Sequence, residues 1–291
     1  GAVPTRAASR VKLVALAVAW LAALPAVWPL DAHAAETLIF SPLPLAAPET
    51  VAAQWKPVLG HIEKSLGVTV RIEYSADYGE ILDKFRAGKI DLAQLGPLPY
   101  VVLRQAFSQV EPLVHFNESD GQPTYTCALV APAEAKLAPQ AIKGKKIALT
   151  QPLSTCGYFV ADILLRQAGG ALEGNRYRYL GRHDAVALAV IGGEFDAGVM
   201  RTTIAREHVG LGLAVIAESL SLPGSALVAN AATVKAGQRV LIQQALQDAD
   251  AATRARWGVY SYGVTPARDG DYAAVRRLRG GVGRAPAQGN Y

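Results

Sequence analysis

The stretch Leu149-Thr150-Gln151-Pro152-Leu153-Ser154-Thr155-Cys156-Gly157-Tyr158 follows a short apolar strand, Lys146-Ile147-Ala148-Leu149. It runs on into Tyr158-Phe159-Val160-Ala161 and Leu164-Leu165, so it reads as a strand-to-helix turn. Ser154 or Thr155 can cap the new helix. A cap, unpaired backbone N–H groups and the positive end of a helix dipole together make a ready anion site. The turn carries no G-x-x-x-x-G-K-[ST] pattern, so nucleotide chemistry is not indicated. Two readings stand: a site for a small oxyanion, or an ordinary helix cap.

Outward from this turn, strand and helix patterns alternate. Thr37-Leu38-Ile39-Phe40 is a short strand stopped at Ser41-Pro42-Leu43-Pro44. Over residues 48–66, Val51, Trp55, Val58, Leu59, Ile62 and Leu66 recur at helical spacing, and Gly67 supplies the stop. A strand over 68–72, a helix over 78–87, a strand over 90–95, a helix over 99–107 and a strand over 112–116 follow. Gly121-Gln122-Pro123 breaks the pattern, and a strand over 125–131 opens a second unit that contains the Ser154 turn. After a strand over 214–218, Leu222-Pro223-Gly224 marks a return crossing, and a helix is expected over 238–256. Such alternation predicts parallel sheets with helices on both faces. Gly88-Lys89-Ile90-Asp91 and Gly193-Glu194-Phe195-Asp196 share one grammar, which is either ordinary loop punctuation or structural duplication.

At 291 residues and 51% apolar content the chain can bury a substantial core, in one large or two smaller domains, and wholesale disorder is excluded. Residues 1–34 read as a secretory signal peptide: Arg6, Arg10 and Lys12 precede an apolar run over 13–30, and Ala32-His33-Ala34 is an A-x-A cleavage site. Pro25 and Pro29 interrupt the run, which separates it from a membrane anchor, and the absence of a cysteine near the cut speaks against a lipoprotein. Cleavage removes three cations and Asp31, taking the formal charge from +5 to +3. With no long basic run and no aromatic-basic interleaving there is no case for nucleic acid. No second apolar run of membrane-spanning length occurs, so a soluble, exported, periplasmic protein is expected. Five histidines lie scattered without ligand spacing, so neither a metal nor a cofactor is expected.

An ordered set of segments carries a family resemblance. Asp77-Tyr78, Phe85-Arg86-Ala87-Gly88-Lys89-Ile90-Asp91-Leu92-Ala93-Gln94-Leu95-Gly96-Pro97 and Tyr100 resemble the first lobe of the phosphate/phosphite/phosphonate-binding periplasmic proteins. Tyr125-Thr126-Cys127, Lys143-Gly144-Lys145-Lys146-Ile147-Ala148, Ser154-Thr155-Cys156-Gly157-Tyr158, His183-Asp184-Ala185 and residues 193–196 match in order and spacing over roughly 37–265. The resemblance implies an α/β, type II periplasmic binding protein fold. Two α/β lobes, 35–123 with 218–291 and 124–217, would close about a hinge over an interlobe ligand cleft. It also implies delivery of a small phosphorus oxyanion (phosphonate, phosphite or phosphate) to an inner-membrane ABC transporter permease.

Carried over by position, the resemblance gives Ser154 and Thr155 the oxyanion, with His183 donating to the same oxygens. Tyr78 would close from the first lobe, Ser41 would line the opposite wall and Tyr125 would contribute a hydroxyl from the crossing. Asp196 corresponds to an acid that neutralises an amino group in aminophosphonate binders, and Tyr100 is expected in the core. The sequence departs from the family at Cys127 and Cys156, positions often occupied by serine. In an oxidising periplasm the two would form a disulfide. Alternatively, the thiols would bind a thiophilic oxyanion such as arsenite, as in relatives that signal through a sensor histidine kinase. Ser154 or Cys156 with His183 and Asp184 also supplies the residue types of a hydrolase triad, but adjacent His and Asp on a helix point apart.

Overall fold

In the computed structural model, residues 1–4 and 34–291 are described. Almost all of the segment read as a leader therefore lies outside the described residues. Strand β1 (Thr37–Ser41) turns into helix α1 (Pro48–Leu66), which buries the predicted face and ends at Gly67 in the left-handed conformation, φ 68°. Next come β2 (Thr69–Ile72), α2 (Tyr78–Arg86), β3 (Leu92–Leu95), α3 (Pro97–Ala106) and β4 (Val110–Phe116). The chain crosses through the short strand β5 (Thr124–Tyr125). It then forms β6 (Cys127–Pro132), β7 (Lys146–Leu149), α4 (Val160–Gln167), β8 (Arg176–Tyr179), α5 (His183–Ile191), β9 (Ala197–Arg201), α6 (Thr202–Glu207) and β10 (Leu213–Glu218). A return through β11 (Leu222–Pro223) leads to β12 (Ala226–Asn230), α7 (Ala236–Gln247), α8 (Ala251–Ala255), β13 (Val264–Pro266) and α9 (Ala273–Gly280).

Two α/β lobes result. One is built on a six-stranded sheet ordered β13-β4-β12-β3-β1-β2, the other on a five-stranded sheet ordered β10-β6-β9-β7-β8. The crossing strands β5 and β11 pair with each other, Tyr125 opposite Leu222 and Thr124 opposite Pro223. At that point Gly224 is held so closely that a Cβ would lie 2.9 Å from the Pro123 carbonyl oxygen. The sheets are mixed where parallel ones were expected: β12 runs antiparallel to β3 and β4, and β6 antiparallel to β9 and β10. A chain that leaves a lobe and re-enters it from the far side arrives in the opposite direction, without the crossover helix that a parallel neighbour requires.

The helix expected over 238–256 is two helices. Asp250 adopts extended backbone, and its carboxylate accepts from the Thr253 N–H at 2.7 Å, starting α8 afresh. In the first lobe the core centres on fully buried Trp55, whose ring lies 4.5 Å from Phe40, 5.3 Å from Phe116 and 4.3 Å from Tyr260. A second cluster (Val130, Ala148, Val186, Val190, Phe195) packs α5 on the five-stranded sheet. A third runs from Phe85 and Leu103 through Cys127 and Leu149 to Leu164, so apolar packing is continuous from one sheet to the other.

The last residues depart from the expected assignment of 218–291 to the first lobe. Helix α9 packs on α3, and Arg279 donates to Gln105, but the chain then lies along β8. Asn290 donates to the Tyr177 carbonyl and its Oδ1 accepts from the Tyr177 N–H at 2.8 Å. Tyr291 stacks under Arg178, 4.6 Å from guanidinium to ring centre. Edge strand β8 has free backbone groups on one side, and Asn290 satisfies those of Tyr177.

Candidate functional site

Six segments, three from each lobe, meet at the carboxyl edges of the two sheets. From the first lobe come the segment after β1, the start of α2 at Tyr78 and the start of α3 after Gly96. From the second come the turn after β7, the first residue of α5 and the last residue of β9. They enclose a cavity of about 50 Å³. At about 10–15 Å³ per water position this holds a few waters or one small tetrahedral ion.

The turn after β7 departs from a regular helix start. Residues Thr155–Phe159 form a wide irregular turn in which Cys156 and Gly157 leave helical geometry. Gly157 is demanded there, because a Cβ would sit 2.3 Å from the Gln151 carbonyl oxygen. Neither Ser154 nor Thr155 caps the helix with its side chain. The hydroxyls are used across the cleft instead: Thr155 Oγ1 accepts from the Leu98 N–H at 3.1 Å, and Ser154 faces the Tyr78 hydroxyl. Gln151 adds a further tie, its Oε1 accepting from the Tyr78 N–H at 3.1 Å. The turn thus binds to the amino ends of two helices of the other lobe, α2 and α3.

The donors around the cavity are held in donating form. Burial pushes the Tyr78 hydroxyl well above the usual phenol range and raises that of Tyr125, so both keep their protons. Tyr125 faces Thr155. His183 is buried, and desolvation, helped by the Arg201 charge and opposed by Asp184, lowers its imidazole to about 4. Its Nδ1 accepts from the Arg201 backbone N–H at 3.1 Å, so the neutral ring carries its proton on Nε2. Asp184 does not orient it; that carboxylate pairs with Arg182 at 3.1 Å.

Of the residues expected at the site, Tyr78, Tyr125, Ser154, Thr155, Cys156 and His183 line the cavity. Ser41 is fully buried at the end of β1 with its Oγ unpartnered among the described residues, and Leu43 lines the wall in its place. Asp196 is not there. It is exposed at the entry of β9, where its carboxylate accepts from the Lys146 N–H at 2.8 Å, and the strand carries the chain roughly 16 Å before Arg201 reaches the cavity. Cys127 and Cys156 are joined as a disulfide with Cα atoms 5.3 Å apart, which ties β6 to the turn and leaves neither sulfur as a thiolate ligand. Tyr100 is buried and stacked on Tyr272.

Sequence reasoning missed Arg201, Gly96, Ser225 and the apolar residues Leu45 and Ile204, all of which line the cavity. Arg201 had a signal: it ends the buried run Ala197-Gly198-Val199-Met200, and ligands of open α/β sheets bind beyond the carboxyl ends of strands. Its guanidinium lies 4.4 Å over the Tyr125 ring and pairs with Glu118, while its Nε is buried with no partner among the described residues. Among those residues no group of three or more His, Cys, Asp or Glu is arranged to hold a metal ion.

Residues 40–272 match the family described as ABC transporter, phosphonate, periplasmic substrate-binding protein. The phosphate-import protein PhnD of Mycolicibacterium smegmatis is 26% identical over 272 residues, covering 84% of this chain and 85% of that protein. Among solved structures, PhnD1 of Prochlorococcus marinus in complex with methylphosphonate superposes with a TM-score of 0.74 at 16% identity, covering 84% of this chain and 97% of that one. The binding-protein component of an ABC phosphonate transporter from Pseudomonas aeruginosa gives 0.73 at 19% identity, covering 84% and 86%. The chain belongs to the phosphonate periplasmic substrate-binding proteins of ABC transporters.

Proposed function

We propose that this protein captures a small phosphorus oxyanion (a phosphonate, phosphite or phosphate) in the periplasm and delivers it to an inner-membrane ABC permease. The observation that carries this reading is the composition of the cavity wall. Ser154, Thr155, Tyr78, Tyr125, the Nε2–H of His183 and the Arg201 side chain converge on a space of about 50 Å³. Hydroxyls and neutral N–H groups in a dry, preorganised cleft replace the hydration of an anion without moving, and each charge-assisted bond contributes about 1.5–3 kcal/mol. Because the donors come from both lobes, the ligand is bound most tightly when the lobes are together. Closure about β5 and β11 follows as the means by which a permease would sense loading.

Relatives that import phosphate or bind methylphosphonate support the same ligand class. The family's periplasmic location and the leader read over residues 1–34 agree with export. Isothermal titration of the purified protein with phosphate, phosphite, methylphosphonate and 2-aminoethylphosphonate tests the proposal. At least one should bind at micromolar concentration or tighter, and Ser154→Ala and Thr155→Ala should each weaken it by about 1–3 kcal/mol. Absence of heat with all four would sink the reading.

A further inference from the structure

We infer that Arg201 sets the charge selectivity of the site, which admits oxyanions whose fourth substituent is absent or small and uncharged and rejects those bearing an ammonium group. The inference rests on the proposed function above and narrows it. Three observations carry it. The first is where the negative charges are not: among the described residues no carboxylate lines the cavity, and Asp196 lies at the far end of β9. An ammonium group brought in with the ligand would therefore meet no counter-charge, and a buried cation without one is strongly disfavoured.

The second is where the positive charge is. The Arg201 guanidinium is held at two points, Glu118 taking Nη2 and the Tyr125 ring lying 4.4 Å beneath it, and the residue's backbone N–H donates to His183. Glu118 belongs to the crossing segment between β4 and β5 and does not itself line the cavity. Arginine stays charged under all physiological conditions, and its buried Nε has no partner among the described residues. That N–H is a donor left over once Glu118 and Tyr125 have fixed the plane, and an oxyanion in the cavity satisfies it. The same cation, its Glu118 partner set back from the cavity lining, disfavours an ammonium.

The third is the remaining wall. Leu43, Leu45 and Ile204 face the cavity, so whatever part of the ligand is not oxygen meets aliphatic carbon. A methyl group or a hydrogen on phosphorus gains by burial there, and an aminoalkyl arm loses its hydration.

The test is a two-ligand comparison in three proteins: parent, Arg201→Gln and Arg201→Lys. Titration with methylphosphonate and 2-aminoethylphosphonate should give a ratio of dissociation constants of about 100 or more in favour of methylphosphonate in the parent. Arg201→Gln should weaken methylphosphonate by about 30-fold or more and bring the ratio to within about 10, whereas Arg201→Lys should keep most of the discrimination. Melting temperatures of both variants establish folding, and should Arg201→Gln not fold, the parent ratio and the lysine variant still decide. Equal or tighter binding of 2-aminoethylphosphonate by the parent overturns the inference while leaving oxyanion capture standing. An unchanged ratio in folded Arg201→Gln assigns the selectivity elsewhere and overturns it too. If the parent binds none of the phosphorus oxyanions, the proposed function itself has failed.

Discussion

Gly88 and Gly193 both take left-handed backbone, φ 73° and 77°, and three residues after each stands an aspartate, Asp91 in the first lobe and Asp196 in the second. Each carboxylate accepts at 2.8 Å from a backbone N–H of the neighbouring strand, Ile39 for Asp91 and Lys146 for Asp196. Each aspartate N–H donates back to the carbonyl of that same residue at 2.9 Å. Five positions after each aspartate the chain reaches the cavity, at Gly96 just past β3 and at Arg201 ending β9, and in both a helix begins with the next residue. The backbone device recurs down to its hydrogen bonds, and the side chain at its outlet does not: one lobe offers a bare glycine, the other a fixed cation. The comparison teaches that the aspartates belong to the frame and that the ligand is met at the other end of the strand.

The largest effect expected from testing this contrast comes from a feature only the second lobe has. The Cys127–Cys156 bridge closes a loop of sequence separation 29, worth about 3–4 kcal/mol by chain entropy. A Cys127→Ser, Cys156→Ser double variant should melt roughly 10 °C lower, with methylphosphonate affinity within about threefold of the parent. Thiol titration of the unreduced, denatured protein should find no free thiol; two per chain would remove the bridge from the account.

Next comes the open outlet of the first lobe. A Cβ on Gly96 would lie 3.2 Å from Thr155 Oγ1 and 3.7 Å from the Tyr125 hydroxyl, so Gly96→Leu fills the space the ligand needs. Oxyanion affinity should fall by about 100-fold, or ~2.7 kcal/mol, with a smaller change in stability. Undiminished binding would place the ligand away from the Gly96–Thr155 gap.

His183 supplies a pH test. Its folded-state value near 4 lies below the unfolded value of 6.5, so the unfolded chain binds the proton first as pH falls. The stabilisation is complete above about 6.5 and is lost between 6.5 and 4, with a ceiling of roughly 3 kcal/mol and 1–2 kcal/mol the practical expectation. Urea unfolding at pH 7.5 and 4.5 should show a smaller pH difference in His183→Asn than in the parent. Parallel behaviour of the two proteins would mean that His183 does not resist protonation.

The smallest effects belong to the paired aspartates. Asp91→Asn and Asp196→Asn should each cost about 0.5–1.5 kcal/mol of stability, the difference between a charged and a neutral acceptor, and leave oxyanion affinity unchanged. A tenfold loss of binding in Asp196→Asn alone would break the equivalence and return that residue to the site.

The frame was legible because periodicity and punctuation are local: the buried face of α1, its Gly67 stop and the strand-to-helix turn at 149–158 all follow from short-range chemistry. The wrong turns were non-local. Sheet direction depends on how the chain returns from the other lobe, which no window of residues records. The helix-cap alternative for Ser154 and Thr155 follows from a local rule, yet Thr155 accepts from Leu98, 57 residues away. Resemblance alone puts Asp196 at the ligand, whereas the direction of β9 brings Arg201, five residues on, to the cavity.

The segment that runs back along β8 has a consequence for the behaviour of the protein at high concentration. An uncovered edge strand is a template on which a second chain can add a strand, and β8 carries aromatic residues at Tyr177 and Tyr179. Asn290 occupies both hydrogen-bonding groups of Tyr177, Tyr179 donates to the Pro286 carbonyl at 2.8 Å, and Tyr291 covers the two flanking arginines. Residues 286–291 therefore act as a guard against edge-to-edge association. Substituting Asn290 and Tyr291 by alanine would loosen that cover, and self-association is the first fault to look for in such a variant.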